Sequence, residues 1–453
     1  MVQLNGVLKW CGAGVFLAGA NAWATNGIFL PGHGSKAIGM GGASMAMTQE
    51  AMGGVTNPAT MVFTPDMVQG GIAIAWAPRS VEREGSLLGI LDGRVSSAQN
   101  PLVVPDGGIN WHWRDNIAIG LSMSTTGLIT DYPDGQINPL SCGVFARERN
   151  MVCGEGRLGT QLMQIFVAPT LSWRFLPRQS IGIAPTIVYQ RLKNNGVQAL
   201  RQFSAYPNHV SNRGYANSFG IGVRVGYYFE PFSWLSLGAS YQPQIHMSAL
   251  NKYKGLVPNE GKLEIPENFS LGLALKPTKK LVLAFDYERI DYSDSAYGKA
   301  GEPIPPRPLR ILFSPNTLSP NQPGASIPTP FGSENGPFLG WHDINIYKLG
   351  AQYAWNDKLS VRAGLQFSPK GPIREDNVTI NFTTPLPEEM HYMAGFSYRL
   401  TEKIESTFFY MHTEKETISG PSFFNGVLGL PIAGTDKLTM HEDTIALGLA
   451  YSF

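Results

Sequence analysis

The chain alternates. Near its end Ile445, Leu447, Leu449, Tyr451 and Phe453 are interleaved with Thr444, Ala446, Gly448, Ala450 and Ser452. Successive strand side chains project to opposite faces, so this stretch has one apolar face and one small or polar face. The pattern recurs in Leu359, Val361, Ala363, Leu365 and Phe367 against Ser360, Arg362, Gly364 and Gln366. It recurs again in Phe269, Leu271, Leu273 and Leu275 against Ser270, Gly272, Ala274 and Lys276. Read this way from Asp66 onward, the sequence predicts fourteen strands, near 66–79, 107–113, 117–130, 161–175, 180–193, 215–230, 234–246, 263–276, 280–292, 343–355, 358–368, 389–400, 404–414 and 442–453.

Alternation alone also suits a soluble sandwich. Three features favour a transmembrane antiparallel β-barrel, an all-β fold of about 14 strands. Strands of about ten residues or more match a tilted bilayer crossing. Aromatics recur at strand ends, as in Trp173, Tyr227, Tyr241, Trp355, Tyr398 and Phe453, where interfacial girdles are expected. The connections also alternate in length. Short polar turns such as Arg114-Asp115-Asn116 and Asn356-Asp357 are separated by long segments at 80–106, 131–160, 194–214, 247–262, 293–342, 369–388 and 415–441. Short periplasmic turns and long external loops are the outer-membrane arrangement. The Pro-rich loop 293–342 suits a lid or receptor surface on such a barrel.

Composition agrees. Charged residues make up only 15% of the 453, which is low for a soluble protein. A net charge of +1 gives no support for nucleic-acid binding. Met1 to Ala24 reads as a secretory signal: Lys9 is the positive charge, Cys11 to Gly19 the apolar core, and Ala22-Trp23-Ala24 the cleavage site, which puts the mature N-terminus at Thr25. Two cysteines then remain, Cys142 and Cys153, both in one loop segment. In an oxidising compartment a local disulfide is favoured over two reduced thiols. No ligand spacing for a metal is present, and no cofactor motif, P-loop, serine elbow or metal helix occurs. His441-Glu442-Asp443 are consecutive and do not share one strand face, so they read as rim residues, and no enzymatic role is expected.

The stretch Thr25 to Met61 is different. It is rich in Gly, Ala and Met, has only Lys36 and Glu50 as charges, and follows neither a strand nor a helix period. It has too little apolar surface to offset its own ordering entropy, so it needs a cavity to sit in. The domain reading is a signal peptide at 1–24, an N-terminal hatch plugging the lumen at 25–62 and the barrel at 63–453. Gly41-Gly42-Ala43, then Glu50, then Thr56-Asn57-Pro58-Ala59 resembles the hatch of the FadL/TodX outer-membrane transporters, and the resemblance extends to Phe453.

That resemblance implies a mechanism. Hydrophobic ligand would be captured outside, pass to a site beside the N-terminal residues and displace them. It would leave sideways at a kink in the third strand. Carried over, the gating residues are Thr25, Asn26, Gly27, Ile28, Phe29 and Leu30 with Asn57, Pro58 and Ala59, and the kink is Gly127 in the strand Ile117 to Thr130. The inward faces are mostly Gly, Ala, Ser and Thr, with Arg224, Asp286, Glu288, Lys348, Arg362 and Arg399 as isolated charges. These are expected to pair with each other or with hatch carbonyls; Arg224, Lys348 and Arg362 are the candidates for ligand contact. The expected function is passive uptake of fatty acids or hydrocarbons through the outer membrane of a Gram-negative bacterium. The expected partners are these small hydrophobic molecules and outer-membrane lipid, the protein acting as a monomer. A structural or adhesive barrel with partner-binding loops is the alternative, followed by a general porin.

Overall fold

The computed structural model describes residues 26–98, 101–134, 149–301, 329–387, 389–428 and 430–453. In chain order the strands are β1 (Met67–Trp76), β2 (Arg79–Glu84), β3 (Gly93–Ser96), β4 (Leu102–Arg114), β5 (Ile117–Ile129), β6 (Gly159–Leu176), β7 (Gln179–Asn195), β8 (Ala216–Phe232) and β9 (Leu235–Gln242). They continue with β10 (Glu267–Leu275), β11 (Leu281–Asp291), β12 (Ile344–Ala354), β13 (Leu359–Phe367), β14 (Met390–Arg399), β15 (Ile404–Thr413), β16 (Glu416–Pro421), β17 (Thr435–Met440) and β18 (Asp443–Ser452). Fourteen of them form one closed antiparallel barrel in which each strand pairs with its sequence neighbours, and β1 closes on β18.

Alternation drives this closure. In β18 Leu447 is 57% exposed while its neighbour Ala446 is 5% exposed, so the apolar face is outside and the small face inside. That inversion is stable only when lipid covers the outside. Prolines trim three of the expected strands. Pro78 interrupts the first, so that Arg79 begins a new strand; Pro243 ends β9 and Pro266 delays β10, because proline donates nothing to a ladder.

The segments 80–106 and 415–441, expected as loops, in fact hold β2, β3, β16 and β17. These form a separate four-stranded sheet, and 102–106 belongs to barrel strand β4. Their inward side chains include Arg83 and Asp436, so binary patterning marks them as solvated. The two are buried against each other, with Arg83 Nε 2.6 Å from Asp436 Oδ1.

Residues 26–64 run inside the barrel. They contain one short helix, α1 (Ser35–Ile38), and two 3₁₀ turns, Gly53–Val55 and Pro58–Phe63. The wall facing them is glycine where they press hardest. A Cβ on Gly238 would lie 1.9 Å from the Met45 carbonyl oxygen, one on Gly226 2.1 Å from Asn57 Oδ1, and one on Gly182 2.3 Å from the Pro58 carbonyl carbon. At the seam, Gly71 of β1 and Gly448 of β18 are register partners, and the Ser35 hydroxyl lies against both.

Candidate functional site

The inner segment bonds to itself through its short helix and turns, and the wall meets other backbone groups of it, as buried polar groups must be met. Asp286 Oδ2 accepts from the amides of Ser44 (2.6 Å) and Met45 (2.9 Å), and Gln69 Oε1 accepts from Ala51 N at 2.7 Å. Asn110 Nδ2 donates to the carbonyls of Met61 (3.0 Å) and Thr64 (2.7 Å).

Asn57 is fully buried and works in both directions. Its Nδ2 donates to Met45 O (2.8 Å) and Tyr227 O (3.0 Å), while its Oδ1 accepts from Ala59 N at 3.1 Å and caps the 3₁₀ turn. Pro58 is the first residue of that turn, where a missing N–H costs nothing. The Ala59 carbonyl accepts from Ser180 Oγ (2.6 Å) and Ser172 Oγ (3.0 Å).

Asn26 to Leu30 form a tight loop. Gly27 has φ +67°, a conformation suited to glycine, and a Cβ there would meet the Tyr292 hydroxyl at 2.2 Å. That hydroxyl accepts from Ile28 N at 2.9 Å and donates to the Asn26 carbonyl. Gln366 Nε2 donates to Asn26 Oδ1 at 2.7 Å. Thr126 Oγ1 donates to the Ile28 carbonyl at 2.6 Å. Thr25, the signal stretch 1–24 and Cys142 lie outside the described residues; Cys153 is disulfide-bonded.

Two cavities meet at this loop. The outer one holds about 980 Å³ including its mouth, and its wall is mainly apolar, with Phe203, Phe331, Phe338, Trp341 and Phe424 among the aromatic members. The inner one holds about 360 Å³ and combines Phe29, Val55 and Phe166 with Thr126, Arg224 and Gln242. Ile28 lines the outer cavity and Phe29 the inner one, and on β5 Leu128 and Thr126 divide in the same way.

The polar end of the inner cavity consists mainly of donors. Arg224 is 7% exposed and its guanidinium donates to Gln242 Oε1 (2.8 Å), Asn268 Oδ1 (3.1 Å) and Ser240 Oγ (3.3 Å). It makes no ion pair among the described residues, and Gln242 Nε2 and Asn268 Nδ2 have no hydrogen-bond acceptor there.

The other charges go elsewhere. Lys348 pairs with Glu288 at 2.7 Å, and Arg362 donates to Gln352 Oε1 and Ser397 Oγ, both at 2.7 Å. The carboxylate of Asp286 meets the amides of Ser44 and Met45 rather than a lumen cation. Arg399, expected inside, is exposed at the last position of β14, beside the turn that leads to β15.

β5 is the third strand of the barrel. It pairs with β4 only from Arg114↔Ile117 to Gly107↔Met123, yet its pairing with β6 continues to Ile129↔Gln161. β4 meanwhile stays paired with β1 up to Leu102↔Ala75. Above Met123 the two ladders therefore part. Ser124 to Leu128 are all buried, which breaks the alternation, and Ile129 packs against the cluster containing Leu102 and Val104. Pro105, opposite this stretch, has no N–H to offer. Gly127 lies within the parted segment at φ +151°. The inner segment touches this stretch through Ile28 at Thr126 and through His33 Nδ1, 2.8 Å from Ser124 Oγ. Neither Thr126 nor Tyr292 stood out in the sequence, where a threonine on a strand and a tyrosine at a strand end are unremarkable.

A fourteen-strand barrel filled by its own N-terminal segment, with an apolar cavity above it, defines an outer-membrane channel for hydrophobic molecules. The chain belongs to the family described as outer membrane protein transport protein (OMPP1/FadL/TodX), which matches residues 15–453. Members are transport channels of the Gram-negative outer membrane rather than enzymes, and they carry hydrophobic small molecules such as hydrocarbons. Among solved structures the fold is similar to the toluene transporter TodX of Pseudomonas putida, with TM-score 0.61 and 17% identity over 95% of this chain and 100% of that one. It is also similar to the toluene transporter TbuX of Ralstonia pickettii, with TM-score 0.60 and 15% identity over 93% and 99%. A FadL homologue of Pseudomonas aeruginosa gives TM-score 0.62 and 15% identity over 94% and 100%. No curated protein sequence matches the chain.

Proposed function

We propose that this protein is a monomeric channel for passive uptake of hydrophobic molecules, in which ligand displaces the N-terminal residues of a hatch at 25–62 and leaves between β4 and β5. The observation that carries the reading is the bond between Thr126 and Ile28. It ties the dipeptide dividing the two cavities to the strand that has left its ladder, so ligand pressing on Ile28 acts on both. Lipid outside the barrel would receive the ligand, since the outer faces of β4 and β5 are apolar. A Cys142–Cys153 bridge would close an external loop, with no cofactor taking part.

The donors around Arg224 favour a ligand with an acceptor head, which makes an amphipathic carboxylate a better match than a bare hydrocarbon. A buried guanidinium without a charged partner is costly, and a carboxylate would satisfy it and the two free amide groups together. The test is uptake of labelled oleate and toluene in cells lacking the native protein. Wild type should carry oleate, and Arg224→Met should lose oleate uptake while keeping what toluene uptake there is. Equal loss of both would remove the head-group role. Deleting 26–57 should change hydrophobic uptake. A barrel that instead only begins to pass small polar solutes would be a plugged porin, and one that changes in neither respect would be an adhesive barrel.

A further inference from the structure

Arg79 begins β2, and Glu442 immediately precedes β18; they are 4% and 0% exposed. Arg79 is the register partner of Met440, so Glu442, two residues further on, is its diagonal neighbour on the same face. Opposite charges placed so are within reach of each other. They do not meet. The guanidinium turns toward β5: Nη1 donates to the Ile129 carbonyl at 2.7 Å and Nε contacts Met440 Sδ at 3.1 Å. Glu442 Oε1 accepts from Thr444 Oγ1 at 2.9 Å. Arg79 Nη2, Glu442 Oε2 and the Tyr132 hydroxyl are all buried without a hydrogen-bond partner among the described residues.

Ile129 is the last residue of β5, the strand that has parted from β4. Arg79 therefore holds the end of that strand on the side that has left β4, the other side staying paired with β6, although a carboxyl group, once ionised, is the stronger acceptor. We propose that Arg79 is a two-position latch, seated on the Ile129 carbonyl while β5 is held and on Glu442 when β5 is released. The proposal rests on the lateral-exit reading above.

The charge on Glu442 decides which seat wins. Burial pushes its carboxyl up to about 7; Arg79 and the Thr444 hydroxyl oppose the rise, and Asp443 adds to it. Tyr132, also near Arg79, is raised by burial and stays neutral. His412 and His441 lie against Asp443 rather than Glu442. Below neutrality Glu442 is a neutral acid and Arg79 stays on Ile129. Above it the carboxylate draws the guanidinium away, so the end of β5 loosens as pH rises. Displacing Ile28 from Thr126 removes a further hold on the strand and acts in the same direction.

The test is hydrogen–deuterium exchange over 124–132 in the full-length protein in lipid nanodiscs, on either side of neutrality and corrected for intrinsic rates. Wild type should exchange several-fold faster on the alkaline side. Glu442→Gln should exchange slowly at both, because no charged seat remains, and Arg79→Met should exchange fast at both. If both substitutions speed exchange alike, the residues are only a structural pair and the latch is wrong. Should Arg79→Met not assemble, the sign of the Glu442→Gln effect decides alone. Oleate and toluene uptake are measured on the same variants. Opposite exchange shifts with unchanged uptake would retain the latch and overturn the lateral exit.

Discussion

Thr126 donates to the carbonyl of Ile28 across 2.6 Å, joining β5 to the loop that separates the two cavities. Thr126→Val keeps the branched shape and removes the donor. The buried Ile28 carbonyl then goes unmet by that hydroxyl, at a cost of about 1–3 kcal/mol. That is small for a barrel and large for a five-residue loop. The expected result is faster amide exchange at 26–30 and altered hydrophobic uptake, with the heat-modifiable mobility of the barrel unchanged. Unaltered exchange would disconnect the strand from the loop.

Asn57→Ala with Pro58→Ala removes the cap of the 3₁₀ turn and leaves Met45 O and Tyr227 O without their amide donor. Each unmet buried group costs about 1–3 kcal/mol, enough to misplace a turn anchored to the wall by such bonds. The barrel should still resist SDS without heating, while uptake of oleate and toluene changes. Wild-type uptake of both would reduce the motif to a turn.

Gly238→Ala puts a methyl group 1.9 Å from the Met45 carbonyl oxygen, a contact that neither backbone can relieve without moving. The segment should shift off the wall and the barrel should remain. Single-channel recordings in planar bilayers should then show ion conductance that the wild type lacks. Gly426→Ala, with nothing within 4 Å, serves as the control and should leave conductance unchanged.

Gly127 holds φ +151°, which a β-branched residue adopts only with strain. Gly127→Val should pull β5 back toward regular strand geometry and narrow its separation from β4. Assembly should survive and hydrophobic uptake should fall. Undiminished uptake would take Gly127 out of the route and leave the parting at Ser124 to carry it.

The barrel strands were legible because alternation is a local signal that closure preserves. Leu447 and Ala446 face opposite ways in the sequence pattern and in space. The external sheet was not legible, because Arg83 and Asp436 bury their charges on each other, and a pattern of polar residues cannot reveal that pairing in advance. Asn57 could be placed in a turn from its neighbour Pro58. Its bond to Tyr227, 170 residues away, required the fold. Arg399 misled because period-two counting assigns a face and not a depth: the residue is still paired with Glu405, but at the end of β14, where its side chain is exposed. The split between β4 and β5 had one local trace, Pro105, which resembles any edge proline until its partner strand is known.

Ser35 lies beneath the pair Gly71 and Gly448, where the first and last strands of the barrel meet. That ladder joins the most distant parts of the chain and is the one whose pairing depends on everything between them. This glycine pair is shaped by a side chain already inside. A slip of one residue would set Ile72 or Leu447 over Ser35 and turn every neighbouring apolar side chain from lipid to lumen. The seam thus has a built-in gauge. Correct closure and correct loading of the interior are a single geometric condition, so a barrel that sealed empty would lack the contact that defines its final register.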